Sequence, residues 1–361
     1  MKKLVIAAAV ATVCAGSAGY GQTYIKGDFF GDYAYTVKDN EPANEDVSSF
    51  SIRRIYFTFE HSMAKNISVR FRLESKSNPF GDSGRINPFV KQAYIAWNNV
   101  IPGHTIYAGI SSTNALANTD AYWAYRSVSK SMLDLNKISS SADLGVAVKG
   151  TLGKNVHHWV MVSNGTGYGS PEVDKFKKVS YSLWVTPVKG LIIEGYADYE
   201  KQDPATASLS SARDFFQASS YTTLKGLVGY KTKTFTVGAE AFMRTNAESG
   251  SIDAAGTGQA DVVRQGVSLF GWTDTPVDKI RLFGRYDLFD PNNSDTVFAG
   301  SSAGIDDEYR YMIFGVDYEA AKDVHIMPNV VIHDYTLDNK KSDVVARITL
   351  FYKYTSNDLA Q

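Results

Sequence analysis

The feature that most constrains this chain is a two-residue hydrophobic period, repeated segment after segment. Ile67, Val69, Phe71 and Leu73 alternate with Ser68, Arg70, Arg72 and Glu74. One face of that segment is apolar and the other polar, which is the signature of a strand and not of a helix. Phe235, Val237, Ala239, Ala241 and Met243 oppose Thr236, Gly238, Glu240, Phe242 and Arg244 in the same way. Near the C-terminus, Val344, Ala346, Ile348, Leu350, Tyr352 and Tyr354 oppose Val345, Arg347, Thr349, Phe351 and Lys353.

The connections between such segments alternate in length. Seven short turns fall at 63–66, 100–103, 152–155, 187–190, 231–234, 276–279 and 319–323. Eight longer polar stretches fall at 38–48, 78–88, 112–140, 165–175, 201–217, 246–259, 291–307 and 337–342. That rhythm predicts an all-β fold: a transmembrane antiparallel β-barrel of sixteen strands, with short periplasmic turns and long external loops. Closure satisfies every backbone group, so strands can cross a bilayer that an open sheet cannot. Beyond the N-terminus no run approaches the 18 or so apolar residues of a spanning helix. Pro328 removes a ladder donor inside the strand 324–335, where a bulge or distorted pairing is expected.

The first 21 residues read as a cleaved secretory leader, with Lys2 and Lys3, an apolar stretch from Leu4 to Cys14, and small residues up to Gly21. Cleavage is expected after Gly19 or Gly21, and residues 22–361 then form one barrel domain. The cut removes two lysines and the only cysteine, leaving 35 basic against 38 acidic residues. Without a thiol there is no disulfide, c-type haem or cysteine–zinc site. A near-neutral balance gives no support for a nucleic-acid partner.

The segments Phe50-Ser51-Ile52-Arg53-Arg54-Ile55-Tyr56-Phe57, Phe59-Glu60-His61, Lys91-Gln92-Ala93-Tyr94-Ile95 and Ile106-Tyr107-Ala108-Gly109 come next in the argument. With Val162-Ser163-Asn164-Gly165-Thr166-Gly167 and Pro187-Val188-Lys189-Gly190-Leu191, they resemble the phosphate-selective porin O and P family of outer-membrane channels. The likeness covers roughly residues 50–200 and is architectural beyond. It implies a passive channel, trimeric, in the outer membrane of a diderm bacterium, whose third external loop, 112–140, folds into the pore. Such barrels usually end on an aromatic residue, whereas here seven residues follow Tyr354.

A barrel of this size leaves an aqueous lumen, so function falls to the inward residues. A cation on the lipid face near mid-bilayer costs roughly 2–4 kcal/mol, which assigns charged strand residues to the interior. These are Arg54, Arg70, Arg72, Lys149, Lys178, Lys225, Arg244, Arg264, Arg281, Arg285, Arg347 and Lys353. They face Glu60, Glu74, Asp143, Glu194, Asp198, Glu240 and Asp287. The third loop adds Arg126, Lys130 and Lys137 against Asp120 and Asp134. The expected function is diffusion of small hydrophilic solutes and ions with a mild anion preference. Arg281 and Arg285, on one face of one strand, are the sharpest candidates for an anion path. The alternative is mixed charge that merely solvates the lumen.

Phe57, Phe59, Trp97, Tyr181, Tyr286 and Tyr352 fall on outward faces, as interfacial belts do. Trp184 and Trp272 point inward and keep a saccharide-stacking channel open as a second reading; a surface receptor or barrel enzyme is a third. No catalytic constellation, cofactor or metal site is expected. His157 and His158 occupy opposite faces of one strand, while His325 and His333 are separated by about 26 Å of extended chain. Asp253, Asp261, Asp306, Asp307 and Glu308 lack calcium-ligand spacing, and 165–169 is a glycine-rich turn without the lysine of a phosphate loop.

Overall fold

A computed structural model of the chain describes residues 21–76, 87–203, 218–251, 259–292, 308–336 and 340–356. Residues 1–20, where the leader is expected, and the tail from 357 lie outside the described residues, as do Asp253, Asp306 and Asp307. The first eight strands are β1 (Thr23–Lys38), β2 (Ser48–Ala64), β3 (Ile67–Lys76), β4 (Phe89–Asn98), β5 (His104–Ser112), β6 (Ala142–Thr151), β7 (Val156–Ser163) and β8 (Lys178–Val185). The second eight are β9 (Leu191–Lys201), β10 (Ser220–Lys231), β11 (Phe235–Ser251), β12 (Gln259–Asp274), β13 (Ile280–Asp290), β14 (Tyr309–Ala321), β15 (Val324–Tyr335) and β16 (Asp343–Thr355). Each pairs with its neighbours in sequence, and β1 closes on β16, so the sixteen-stranded antiparallel barrel has no edge. Two short helices, α1 (Ala117–Trp123) and α2 (Met132–Leu135), lie in the third long connection.

Alternation follows from burial. On β9, Ile192, Glu194, Tyr196, Asp198 and Glu200 are buried, and the residues between them are exposed. The buried phase carries carboxylates and the exposed phase apolar groups, so the apolar side faces outward. Phe57, Trp97, Tyr181 and Tyr352 are exposed on that outer face, while Trp184 and Trp272 pack within.

One local expectation needs correction, and two further features take a definite form. The connection expected at 246–259 is largely strand, because β11 and β12 continue as a ribbon to Ser251 and from Gln259. The strand β14 keeps one phase, with Tyr309, Ile313 and Asp317 buried and Arg310, Phe314 and Tyr318 exposed. Pro328 distorts the pairing, as expected, without forming a bulge. It pairs with Ile348 of β16, but pairing with β14 lapses between Gly315↔Asn329 and Tyr318↔Ile326 and resumes in the same register. A missing N–H is tolerated when the interrupted ladder can rejoin without inserting a residue.

Candidate functional site

Residues 113–141 run inside the barrel. Asn114 Nδ2 donates to Trp159 O at 2.9 Å, and Asn118 Nδ2 donates to Glu194 at 3.0 Å. Helix α1 descends toward the turn before β9, where Tyr122 Oη donates to Gly190 O at 3.0 Å. Gly190 is at φ +89°, and a Cβ there would lie 2.1 Å from Lys231 O, so only glycine admits this approach. Trp123 ends the helix completely buried between Phe270 of β12 and Phe283 of β13. Its Nε1 donates to Ser129 O at 2.9 Å. Tyr125 stacks on Phe283 with centroids 4.2 Å apart and donates to Asp317 at 2.9 Å. Higher in the barrel, Leu116, Met132, Leu133 and Ile138 pack with Tyr196, Phe242, Phe289 and Tyr309.

Packing alone leaves the loop's carbonyls unsatisfied, and an unpaired buried carbonyl costs about 1–3 kcal/mol. Cations of the wall supply the donors. Lys225 Nζ reaches Ala115 O at 2.7 Å, Lys231 Nζ reaches Ala121 O at 3.2 Å, and Arg244 Nη1 reaches Ile138 O at 2.6 Å. Arg264 Nη2 donates to Asn136 O at 3.1 Å, and Arg285 Nη1 donates to Lys130 O. Arg347 Nη2 donates to Val128 O at 3.3 Å, joined there by Arg53 Nη1 at 3.0 Å. Buried acids balance several of these charges: Glu194 and Glu240 lie 3.0 and 3.7 Å from Lys225, and Asp287 lies 2.7 Å from Arg285.

The residues that the sequence groups together therefore separate. Arg244, Arg264, Arg285 and Arg347 are spent on loop carbonyls. Arg126 pairs with Asp120 at 2.9 Å and with Asp134, while Lys130 reaches Asp134 at 2.8 Å. Lys137 is exposed at φ +55°. Arg281 does not share the setting of Arg285, because its Nε pairs with Asp274 at 2.7 Å beside a cavity of about 200 Å³ lined by Asp317, Glu319 and the turn 275–279.

Arg54, Arg70 and Arg72 stand on the wall formed by β2 and β3. Arg54 lies between the rings of Phe30 and Tyr56, each at 5.8 Å, with Nε 3.3 Å from Glu74. Arg70 pairs with Glu60 and sits 5.8 Å from the Tyr94 ring. Arg72 donates to Thr58 at 2.7 Å and is 3.9 Å from Asp28. Exposure decides which cations a solute can meet: the side chains of Lys225 and Arg285 are 0% and 1% exposed, against 36% for Lys26, 29% for Arg70 and 23% for Arg72.

Two inward cations escape strict alternation. Opposite β1, Arg54 and Ile52 pair with Phe30 and Gly31, leaving Arg53 as an extra residue. Opposite β3, Gln92 and Val90 pair with Arg72 and Leu73, leaving Lys91 extra. Each bulge turns two consecutive side chains inward. Arg53 then reaches Asp32 and the loop, and Lys91 lies 3.0 Å from Glu74 with the Tyr168 ring 3.7 Å away. Inward acids beyond those read from the sequence, Asp28, Asp32, Glu200, Asp274 and Asp317, offset much of the basic excess.

Neither family models nor curated proteins match the chain. Solved structures do match its fold. An anion-selective porin from Comamonas acidovorans aligns over 92% of this chain and 100% of its own at 11% identity and a TM-score of 0.66. The outer-membrane channel DcaP of Acinetobacter baumannii aligns over 94% and 98% at 14% identity, TM-score 0.64. OprB of Pseudomonas putida aligns over 92% and 94% at 9% identity, TM-score 0.65. At these identities the likeness is one of fold, that of outer-membrane porins.

Proposed function

We propose that the protein is a passive diffusion channel of the outer membrane for small hydrophilic solutes, with a mild anion preference, working without catalysis or cofactor. The observation that carries this reading is the division of the lumen by residues 113–141. The loop packs against the wall from β9 to β16 and takes up Lys225, Arg244, Arg264, Arg285 and Arg347 there. The accessible wall of β1 to β3 keeps Lys26, Arg70 and Arg72 facing Asp28 and Glu60. Fixed positive groups beside a water-filled path raise the local anion concentration. Phosphate capture is not part of the proposal, since it needs donors converging on one point. The resemblance to the phosphate-selective type rests on the sequence segments alone, and the homotrimer and the leader cut after Gly19 or Gly21 belong to the same reading.

The saccharide alternative finds less support. The Trp184 ring is stacked on His157 at 5.4 Å with Lys149 5.7 Å from its centre, and Arg281 lies 5.0 Å from the Trp272 ring. Faces so covered offer a sugar little to stack on.

Single-channel recording from purified protein in planar bilayers tests the proposal. Ohmic conductance with a zero-current potential of anion sign across a potassium chloride gradient is expected. Bilayers that stay closed at every voltage would remove the channel reading, and a cation-signed potential would remove the preference.

A further inference from the structure

The outer face of the barrel carries a pair of imidazoles that the lumen does not use. His104 opens β5, His158 lies on β7, and β6 runs between them with Gly150 in register with both. Their neighbours Thr105 and Trp159 take the inward phase, so both histidines point outward beside the turns 99–103 and 152–155. A Cβ on Gly150 would fall 2.2 Å from His104 Cδ2. The missing side chain is what lets the two rings meet across an intervening strand, with centroids 5.0 Å and Nε2 atoms 2.9 Å apart.

The hydrogen bonding fixes one ring. His104 Nδ1 lies 2.9 Å from Pro102 O. A carbonyl can only accept, so Nδ1 carries the hydrogen and, in the neutral ring, Nε2 presents its lone pair toward His158. A backbone carbonyl behind the distal nitrogen is also how proteins orient metal-binding imidazoles. The other histidines are engaged differently: His61 with Thr23, His157 on Trp184, His325 with Asp317, and His333 against the rings of Tyr309 and Tyr335.

We propose that His104 and His158 form a two-imidazole site for a divalent transition-metal ion on the outer face of the barrel, held through both Nε2 atoms and completed by water. At metal–nitrogen distances of about 2.0–2.1 Å, the 2.9 Å separation subtends about 90° at the ion. That angle suits adjacent positions of a square-planar or octahedral ion and is narrower than the tetrahedral angle zinc prefers. The order expected is Cu²⁺, then Ni²⁺, with Zn²⁺ weaker than its chemistry alone would give. A small swing of both rings turns their lone pairs to a common point. The ion replaces the hydrogen between them: that hydrogen is the one ring proton of neutral His158, held on Nε2, and it passes through solvent to Nδ1 as the ion binds, so no net proton is released.

Titration of Cu²⁺ into the detergent-solubilised barrel, followed by electron paramagnetic resonance, tests the site. One saturable Cu²⁺ with hyperfine coupling to two imidazole nitrogens is expected. Affinity should fall by roughly tenfold or more in His104→Gln and in His158→Gln, and stay unchanged in His61→Gln. Gly150→Val keeps both histidines but separates the rings, and should leave a one-nitrogen signal. Heat-modifiable migration on gels verifies that each variant is folded. A one-nitrogen signal in the unaltered protein, undiminished affinity in His158→Gln, or no saturable binding overturns the proposal.

Discussion

At the scale of the residue, the same side-chain type does different work according to what it touches. Arg281 and Arg285 are two repeats of the pleat apart on β13, yet the first sits in a half-exposed pair with Asp274 and the second is sealed against Asp287 and the Lys130 carbonyl. Arg281→Ala should therefore change stability by about 1 kcal/mol or less. Arg285→Ala strands a buried carboxylate and should cost about 3–5 kcal/mol; urea unfolding of the two variants in detergent measures the contrast. Selectivity should depend on the exposed pair Arg70 and Arg72 instead. Replacing both with Glu is expected to shift the zero-current potential to the cation side, while Lys137→Glu shifts it less. Arg53 and Lys91 were not legible as inward residues because a bulge is set by pairing with another strand. The only local trace is the adjacency of Arg53 to Arg54 and of Lys91 to Gln92, which strict alternation reads as one residue in and one out.

At the scale of the element, the connection 113–141 behaves as part of the core. Trp123→Ala removes a fully buried ring from between β12 and β13, a loss of about 3–5 kcal/mol of packing. The expected readout is larger and noisier single-channel current. The loop is also tied by charge. Burial alone would raise the Asp134 carboxyl, but Arg126 and Lys130 hold it below its ordinary value of 3.8. A depressed carboxyl contributes stability that is present above its unfolded value and lost as pH falls through its folded one. Current noise from loop motion should accordingly rise as the pH drops below 3.8, and Asp134→Asn should show that noise at neutral pH. The length and third position of this connection could be read from the sequence. Its course could not, because the carbonyl-to-arginine bonds that hold it join residues up to 219 positions apart.

At the scale of the whole molecule, the selectivity proposed is a field effect over a wide path and so must yield to salt. Screening shortens from about 10 Å at 0.1 M to about 3 Å at 1 M, and the anion preference should shrink toward parity over that range in bilayer recordings. The sequence by itself determined the barrel, because a two-residue period and alternating connection lengths are local properties that survive without knowledge of partners. It also supplied a rule for which charged residues avoid lipid, since the cost of exposing them there depends on strand phase, a rule that misses Arg53 and Lys91, where a bulge breaks the phase. Only the tertiary structure decided which cations remain open to solute. That outcome depends on bulges set by neighbouring strands, on acids facing in from β1, β9, β12 and β14, and on a loop whose backbone carbonyls claim the arginines of the opposite wall.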